Sequence, residues 1–368
     1  MTQQSVPADN DPQWLRFYLQ IITPFWQQQV QTLQLVRPDK VNLTWYLHQP
    51  EQAKALVLIS PGRVEAGLKY QELVWWLAQQ DYAVAVLDHR GQGFSDRLSN
   101  NPHHGHIDQF EDFVTDLEAV AAAATELCPQ MPQYLLAHSM GGAIASLMLA
   151  RGNHKIEKAV FSAPMLGLDT GRTPKWLAQT IAVSGALLNR WVQPLKPWYF
   201  IGMEDYRTVP FDENELTHSE ARYQMFRDLY DQHPQVQLGG PTFNWVAQAF
   251  AAVRAAQQQA AQISIPILIL QAGADTIVDN QGQRQFVQQL PHAASRIEVI
   301  KGARHELFIE ADPYRQQALT HIQAWFNQVH PYKGVSPLSG TTDCGSMCTI
   351  TSVGGNSAAT WRSTVSAM

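Results

Sequence analysis

Cysteine is scarce in this chain, with three in 368 residues. Cys128 stands alone, and Cys344 and Cys348 are too few for a zinc site. No disulfide framework can be built, so a reducing compartment is expected. Charge is scarce too: 16% of residues are charged and the net charge is −6, without the basic excess that nucleic-acid binding requires. No apolar run reaches the length of a membrane span. The opening MTQQSVPADNDPQW has neither a basic start nor an apolar stretch, so no secretory leader is read and a cytoplasmic place is expected. Phosphate loops ending in Gly-Lys-Ser or Gly-Lys-Thr are missing, and GQGFSD (91–96) lacks the third glycine of a dinucleotide fingerprint.

Apolar residues are abundant, at 45%, which suits a large core. Compact runs at 55–60, 82–88, 134–138, 158–163, 266–272 and 296–302 are ended by Gly, Pro, Asp or Ser, and several are apolar almost throughout, as strands covered on both faces should be. NLTWYLH (42–48) alternates as a strand. Helical patterns lie between the runs, at 70–80 and 110–127. The repetition predicts an α/β fold with a mostly parallel sheet and helices on both faces. From 165 to 261 no strand pattern is visible, only tryptophans, prolines and helical stretches, too long for an ordinary crossover. An inserted helical cap over the sheet's carboxyl edge is expected there. The division is then an N-terminal segment 1–30, core 31–164, cap 165–261, core 262–333, and a Ser/Thr/Gly-rich tail 334–368 read as disordered and outside the fold.

LLAHSMGGAIA (135–145) places a serine on a sharp strand-to-helix bend with small neighbours, Ala137 and Gly141. That is the pattern of a nucleophile elbow, with alanine for its usual first glycine, or of a plain strand–helix turn; an elbow would put the hydroxyl above the sheet edge at a helix N-terminus. Serine needs a base, and the base needs an orienting acid. Asp275 and His305 each follow a predicted strand, in the order Ser, acid, His, so Ser139, Asp275 and His305 are the candidate triad. Asp279 is the alternative acid, and His154, His103, His104 and His106 are alternative bases. The His103–His106 cluster with Asp108 sits on a Pro- and Gly-containing loop, where no helix gives two His a common face, so no metal site is expected. The oxyanion donors are expected to be the backbone N–H groups of Met140 and Arg63. DHRGQGFSD is read as a turn beneath the site, with Asp88, Arg90, Gly91 and Gly93 structural, and LTHS (216–219) as a helix cap or a substrate contact.

LISPGRVEAGLKYQELVWWL, LDHRGQGFSDR, LLAHSMGGAIA, QAGADTIVDN and KGARHELFIE together resemble the monoacylglycerol lipase and lysophospholipase branch of the α/β-hydrolases, nearest its bacterial lysophospholipases. The likeness runs from about 15 to 330, through LTHSEARY and GGPTFNWVAQAF. It implies a capped serine hydrolase with the same triad, without metal or organic cofactor, acting on a lipid with one acyl chain. Glyceride lipases of that branch usually begin the oxyanion loop with His-Gly. Pro61-Gly62-Arg63 here implies a lysophospholipid instead, with the Arg63 side chain on its phosphate. Trp198 and Tyr199 are expected to touch substrate. The aromatic cap suits peripheral contact with the inner face of a membrane. The alternatives are a monoacylglycerol lipase or broad carboxylesterase and, more remotely, an inactive lipid-binding relative.

Overall fold

The computed structural model describes residues 6–328 and 350–352. Its strands are β1 Val30–Val36, β2 Asn42–His48, β3 Ala55–Ser60, β4 Tyr82–Leu87, β5 Gln133–His138, β6 Ile156–Ser162, β7 Ile267–Ala272, β8 Arg296–Ile300 and β9 Ile350–Ser352. They form one sheet in the order β8-β7-β6-β5-β3-β4-β2-β1-β9. Pairings from β4 across β3 to β8 are parallel, while β2 joins β4, β1 joins β2 and β9 joins β1 antiparallel. This is the expected fold class, the α/β-hydrolase fold. Of the tail expected outside the fold, only Ile350–Ser352 is described, and it departs from that expectation by pairing with Leu33–Leu35. An edge strand offers unpaired N–H and C=O groups, and β-branched Ile-Thr is suited to take them. The remaining tail residues, with Cys344 and Cys348, lie outside the described residues.

The helices are α1 Gln13–Phe17, α2 Thr23–Gln29, α3 Gln71–Ala78, α4 Phe110–Leu127, α5 Met140–Ala150, α6 Lys175–Val192, α7 Glu220–Gln232, α8 Phe243–Gln259, α9 Asn280–Gln289 and α10 Asp312–Asn327. Alternate residues of each central strand feed two cores. Leu56 and Leu58 of β3 face α4, α5 and α8, whereas Val57 and Ile59 face α3 and α10. Residues 13–29 of the N-terminal segment are helical. Trp14, Tyr18, Ile22, Phe25 and Trp26, spaced at helical intervals, close the second core.

Helices α6, α7 and α8 fall between β6 and β7, with no strand among the described residues there. They are not one layer. The buried stripe of α8 (Trp245, Ala249, Ala252, Ala256) belongs to the main core beside α5. Helix α7 packs Tyr223, Phe226 and Tyr230 against Ala66 and Ile309, and α6 lies outermost on α8. LTHS acts as a cap: Ser219 accepts a hydrogen bond from the Arg222 N–H, and the Thr217 hydroxyl donates to the Ile309 carbonyl.

Candidate active site

β5, between β3 and β6, delivers Ser139 at its carboxyl end with φ 49° and ψ −118°. A non-glycine residue is strained there, and the surroundings impose the bend. The Ser139 N–H donates to the Ser162 carbonyl. A Cβ on Gly141 would lie 2.0 Å from the Ser60 carbonyl oxygen, so only glycine lets α5 pass this close to β3. Met140 opens α5, and the first N–H groups of a helix have no intrahelical partner and favour negative charge.

Asp275 follows β7 and His305 follows β8, so both loops reach the edge that carries Ser139. His305 Nε2 is 3.0 Å from Ser139 Oγ, and Nδ1 is 2.8 Å from Asp275 Oδ2. Asp275 Oδ1 accepts hydrogen bonds from the N–H groups of Ile277 and Val278, which fixes the carboxylate. A carboxylate only accepts, so Nδ1 carries the proton and Nε2 can take the hydroxyl hydrogen. Asp279 is elsewhere, capping α9 and paired with Lys175. His154 precedes β6, at the opposite sheet edge. His104 faces Ser99, and His106 faces Thr242 and Asp108.

A cavity of about 370 Å³ opens over Ser139, lined by Gly62, Arg63, Met140, Leu168, Trp245 and His305 among others. A Cβ on Gly62 would lie 3.1 Å from that of Ser139, so the loop after β3 runs beside the serine. The Arg63 side chain is half-buried, with Nη1 donating to the Gly239 carbonyl at 2.9 Å and its guanidinium 5.5 Å from the Trp245 ring centre. No described carboxylate pairs with it, and burial pushes it down to about 10, still cationic at neutral pH. Trp198 and Tyr199 are not in this cavity. They line a separate groove with His104, Lys196 and Arg207. An apolar cavity of about 390 Å³ shares Leu168 and Trp245 with the serine cavity and continues along Ala178, Ile181, Phe200 and Phe250.

The cavity over Ser139 has a charged floor beside the serine that the sequence reading missed. Lys69 Nζ is 2.6 Å from both Glu65 and Glu306, the Tyr70 hydroxyl donates to Glu65 at 2.6 Å, and His138 Nε2 is 3.3 Å from Glu306. Burial alone would lower the Lys69 ammonium, but Glu306 and Glu65 hold it raised. His138 is likewise raised by Glu306 and Glu65 against the effect of burial. Burial favours the neutral Glu306 carboxyl, yet Lys69 and His138 hold it well below its usual range. Glu65, His138 and Glu306 are the one group among the described residues with the spacing of a metal site, and Lys69 stands where a cation would. The signal in sequence was slight: Glu306 follows His305, and His138 precedes Ser139.

Residues 51–312 match the family model described as serine aminopeptidase, S33. The chain is 35% identical over 315 residues to lysophospholipase L2 of Escherichia coli (strain K12), covering 83% of this chain and 90% of that one. It is 26% identical over 274 residues to monoglyceride lipase of Rattus norvegicus, covering 74% and 82%. Among solved structures, a soluble variant of monoglyceride lipase from Saccharomyces cerevisiae with a substrate analog superposes with a TM-score of 0.65 at 21% identity, over 82% of this chain and 95% of that one.

Proposed function

The chain belongs to the serine aminopeptidase S33 family of α/β-hydrolases, and from that premise we propose that it hydrolyses the carboxylic ester of a lysophospholipid. It is a lysophospholipase-like carboxylic ester hydrolase. In the proposed mechanism His305 Nε2 removes the Ser139 proton as Oγ attacks the ester carbonyl, and Asp275 steadies the imidazolium that forms. The N–H groups of Met140 and Arg63 receive the oxyanion. His305 then protonates the leaving glycerophospho-alcohol, and water attacks the acyl-enzyme with His305 again as base. The reaction requires neither metal nor organic cofactor. Domain roles follow: 31–164 and 262–333 carry the chemistry, and 165–261 shapes the lipid site.

The observation that carries the head-group assignment is Arg63, a half-buried cation in the serine cavity that no described carboxylate pairs with. A partly desolvated charge without a counter-ion is costly, and a substrate phosphate would supply one. The apolar cavity beyond Leu168 and Trp245 suits the single acyl chain. No helix among the described residues is long and apolar enough to cross a membrane. The lipid is instead proposed to be met at a membrane face by the outer surface of α6, where Trp191 is 85% and Leu187 62% exposed.

The test measures fatty acid released from a lysophospholipid and a monoacylglycerol, side by side. Ser139→Ala is expected to abolish both activities. Arg63→Met, which keeps the backbone N–H, is expected to cost the lysophospholipid about 10- to 100-fold more than the glyceride. Equal losses would end the phosphate assignment, and activity surviving in Ser139→Ala would end the mechanism.

A further inference from the structure

The glycine-flanked turn RGQG, so far a structural feature beneath the site, holds one side chain that nothing above uses. Gln92 is 3% exposed, and its amide nitrogen lies 2.7 Å from the Gly62 carbonyl oxygen and 3.2 Å from that of Glu65. Both neighbours can only accept, so the amide must present its NH2 to them. Its backbone is fixed on each side. Gly91 and Gly93 have φ of 79° and 56°, the region that favours glycine, and a Cβ on Gly93 would lie 2.2 Å from the Asp88 carboxyl carbon. Arg90 is locked to Asp116 by two hydrogen bonds of 2.6 and 2.8 Å.

The carbonyl of Gly62 and the N–H of Arg63 belong to one peptide unit, and no cis peptide bond occurs among the described residues. In a trans unit the two dipoles point in opposite directions. A donor that grips the Gly62 carbonyl therefore sets where the Arg63 N–H points. Gln92 is not part of the cavity lining, whereas Gly62, Arg63 and Ser139 are, so the N–H is turned from Gln92 towards the cavity. The preceding peptide is held as well, because the Gly62 N–H donates to the Glu65 carboxylate. We infer that Gln92 is a positioning residue for the oxyanion site, aiming the Arg63 N–H through the Gly62–Arg63 peptide plane. The inference rests on the proposed role of that N–H.

The experiment uses the full chain, a short soluble ester, and a trifluoromethyl ketone whose serine adduct carries an oxyanion. Gln92→Met removes the donor at similar length, and Gln92→Asn keeps an amide that cannot reach. Both are expected to lower kcat about 10- to 100-fold with KM within about 2-fold, and to weaken the ketone by the same factor as kcat. A merely structural residue would not produce that KM-against-kcat split or the matched loss of ketone affinity. A backbone ester at position 63, which deletes the N–H itself, tests the underlying reading and is expected to cost kcat at least as much. No loss with the backbone ester would overturn the role of the Arg63 N–H, and Gln92's with it. A loss there, with kcat unchanged in either Gln92 variant that folds, would overturn Gln92 alone.

Discussion

Helices α5 and α6 are both rich in large apolar side chains, and they spend them in opposite directions. All eleven residues of α5 are buried, in a segment without a charge that runs from beneath Ser139 between β3, β6 and α8. Of the eighteen residues of α6, only Ala178, Ala182 and Asn189 are buried. With Gly185, where a Cβ would lie 2.2 Å from the Phe243 ring, they form the stripe that fits against α8. Trp176, Leu187, Leu188 and Trp191 are left outside. A soluble helix ordinarily turns its bulky apolar side inward, and α6 turns its small side inward instead. The two helices thereby differ in what they face: α5 is enclosed by the core beneath the serine, and the apolar outer side of α6 is open to water. Variants on the α5 side should then impair every ester alike, and variants on the α6 side only esters held in a lipid surface.

Among variants that keep the nucleophile, the largest effect should come from Asp275→Asn. The amide can offer an N–H to His305 Nδ1 and leave the proton on Nε2, where it cannot serve as base. A loss of about 10⁴-fold in kcat is expected on soluble and bilayer substrates equally, with KM little changed. Progress curves on a short ester and on lysophospholipid vesicles check it. A loss confined to one substrate would break the separation between the two regions.

Much of the α5 side was legible in the sequence because its signals are local. The runs 55–60 and 42–48 are strands with those bounds, and 110–127 is the helix its period predicts. The strand β1, VQTLQLV, was overlooked because Gln31, Thr32 and Gln34, at exposed or half-exposed positions, dilute the apolar signal. Ser139, Asp275 and His305 could be nominated together because each follows a strand, and parallel strands bring such positions to one edge. Glu65, Lys69, Gln92 and Glu306 could not. In sequence a charge or an amide looks solvated, and only the fold shows that these are buried and mutually paired. That Trp198 and Tyr199 fall outside the lining of the serine cavity could not be read either, since composition marks an aromatic-rich cap without saying which side of it faces the serine.

The floor beside Ser139 sharpens the comparison on the α5 side. Lys69→Met leaves two buried carboxylates without their shared cation, which should cost about 3–5 kcal/mol of stability. The pH dependence has a definite sign. His138 is raised in the folded state, so its contribution is complete below its unfolded value, about 6.5, and is lost as pH rises through the folded value. Stability of the wild type should therefore decline above neutral pH through this residue, and Glu306→Gln should flatten that decline. Urea midpoints collected across pH 5 to 9, a range of about four units chosen to span the histidine, test both. A Lys69→Met loss below about 1 kcal/mol would mean the floor contributes little cohesion, against the expectation for a broken buried pair.

The smallest effect on stability, and the most selective on function, belongs to the outer surface of α6. Replacing Leu187 and Trp191 by serine removes apolar area already in contact with water, so the unfolding midpoint should move by less than about 0.5 kcal/mol per site. Hydrolysis of a short soluble ester should not change, because neither side chain lines the cavity over Ser139. Binding to anionic vesicles and turnover of lysophospholipid within them should both fall several-fold, since tryptophan and leucine at an interface contribute through the area they bury there. Vesicle co-sedimentation and kinetics on the same preparations read the two quantities together. A parallel fall on the soluble ester would mean that α6 shapes the cavity through α8 rather than meeting lipid. No change on either substrate would leave its exposed tryptophans without a membrane role and the two helices less different than their burial makes them.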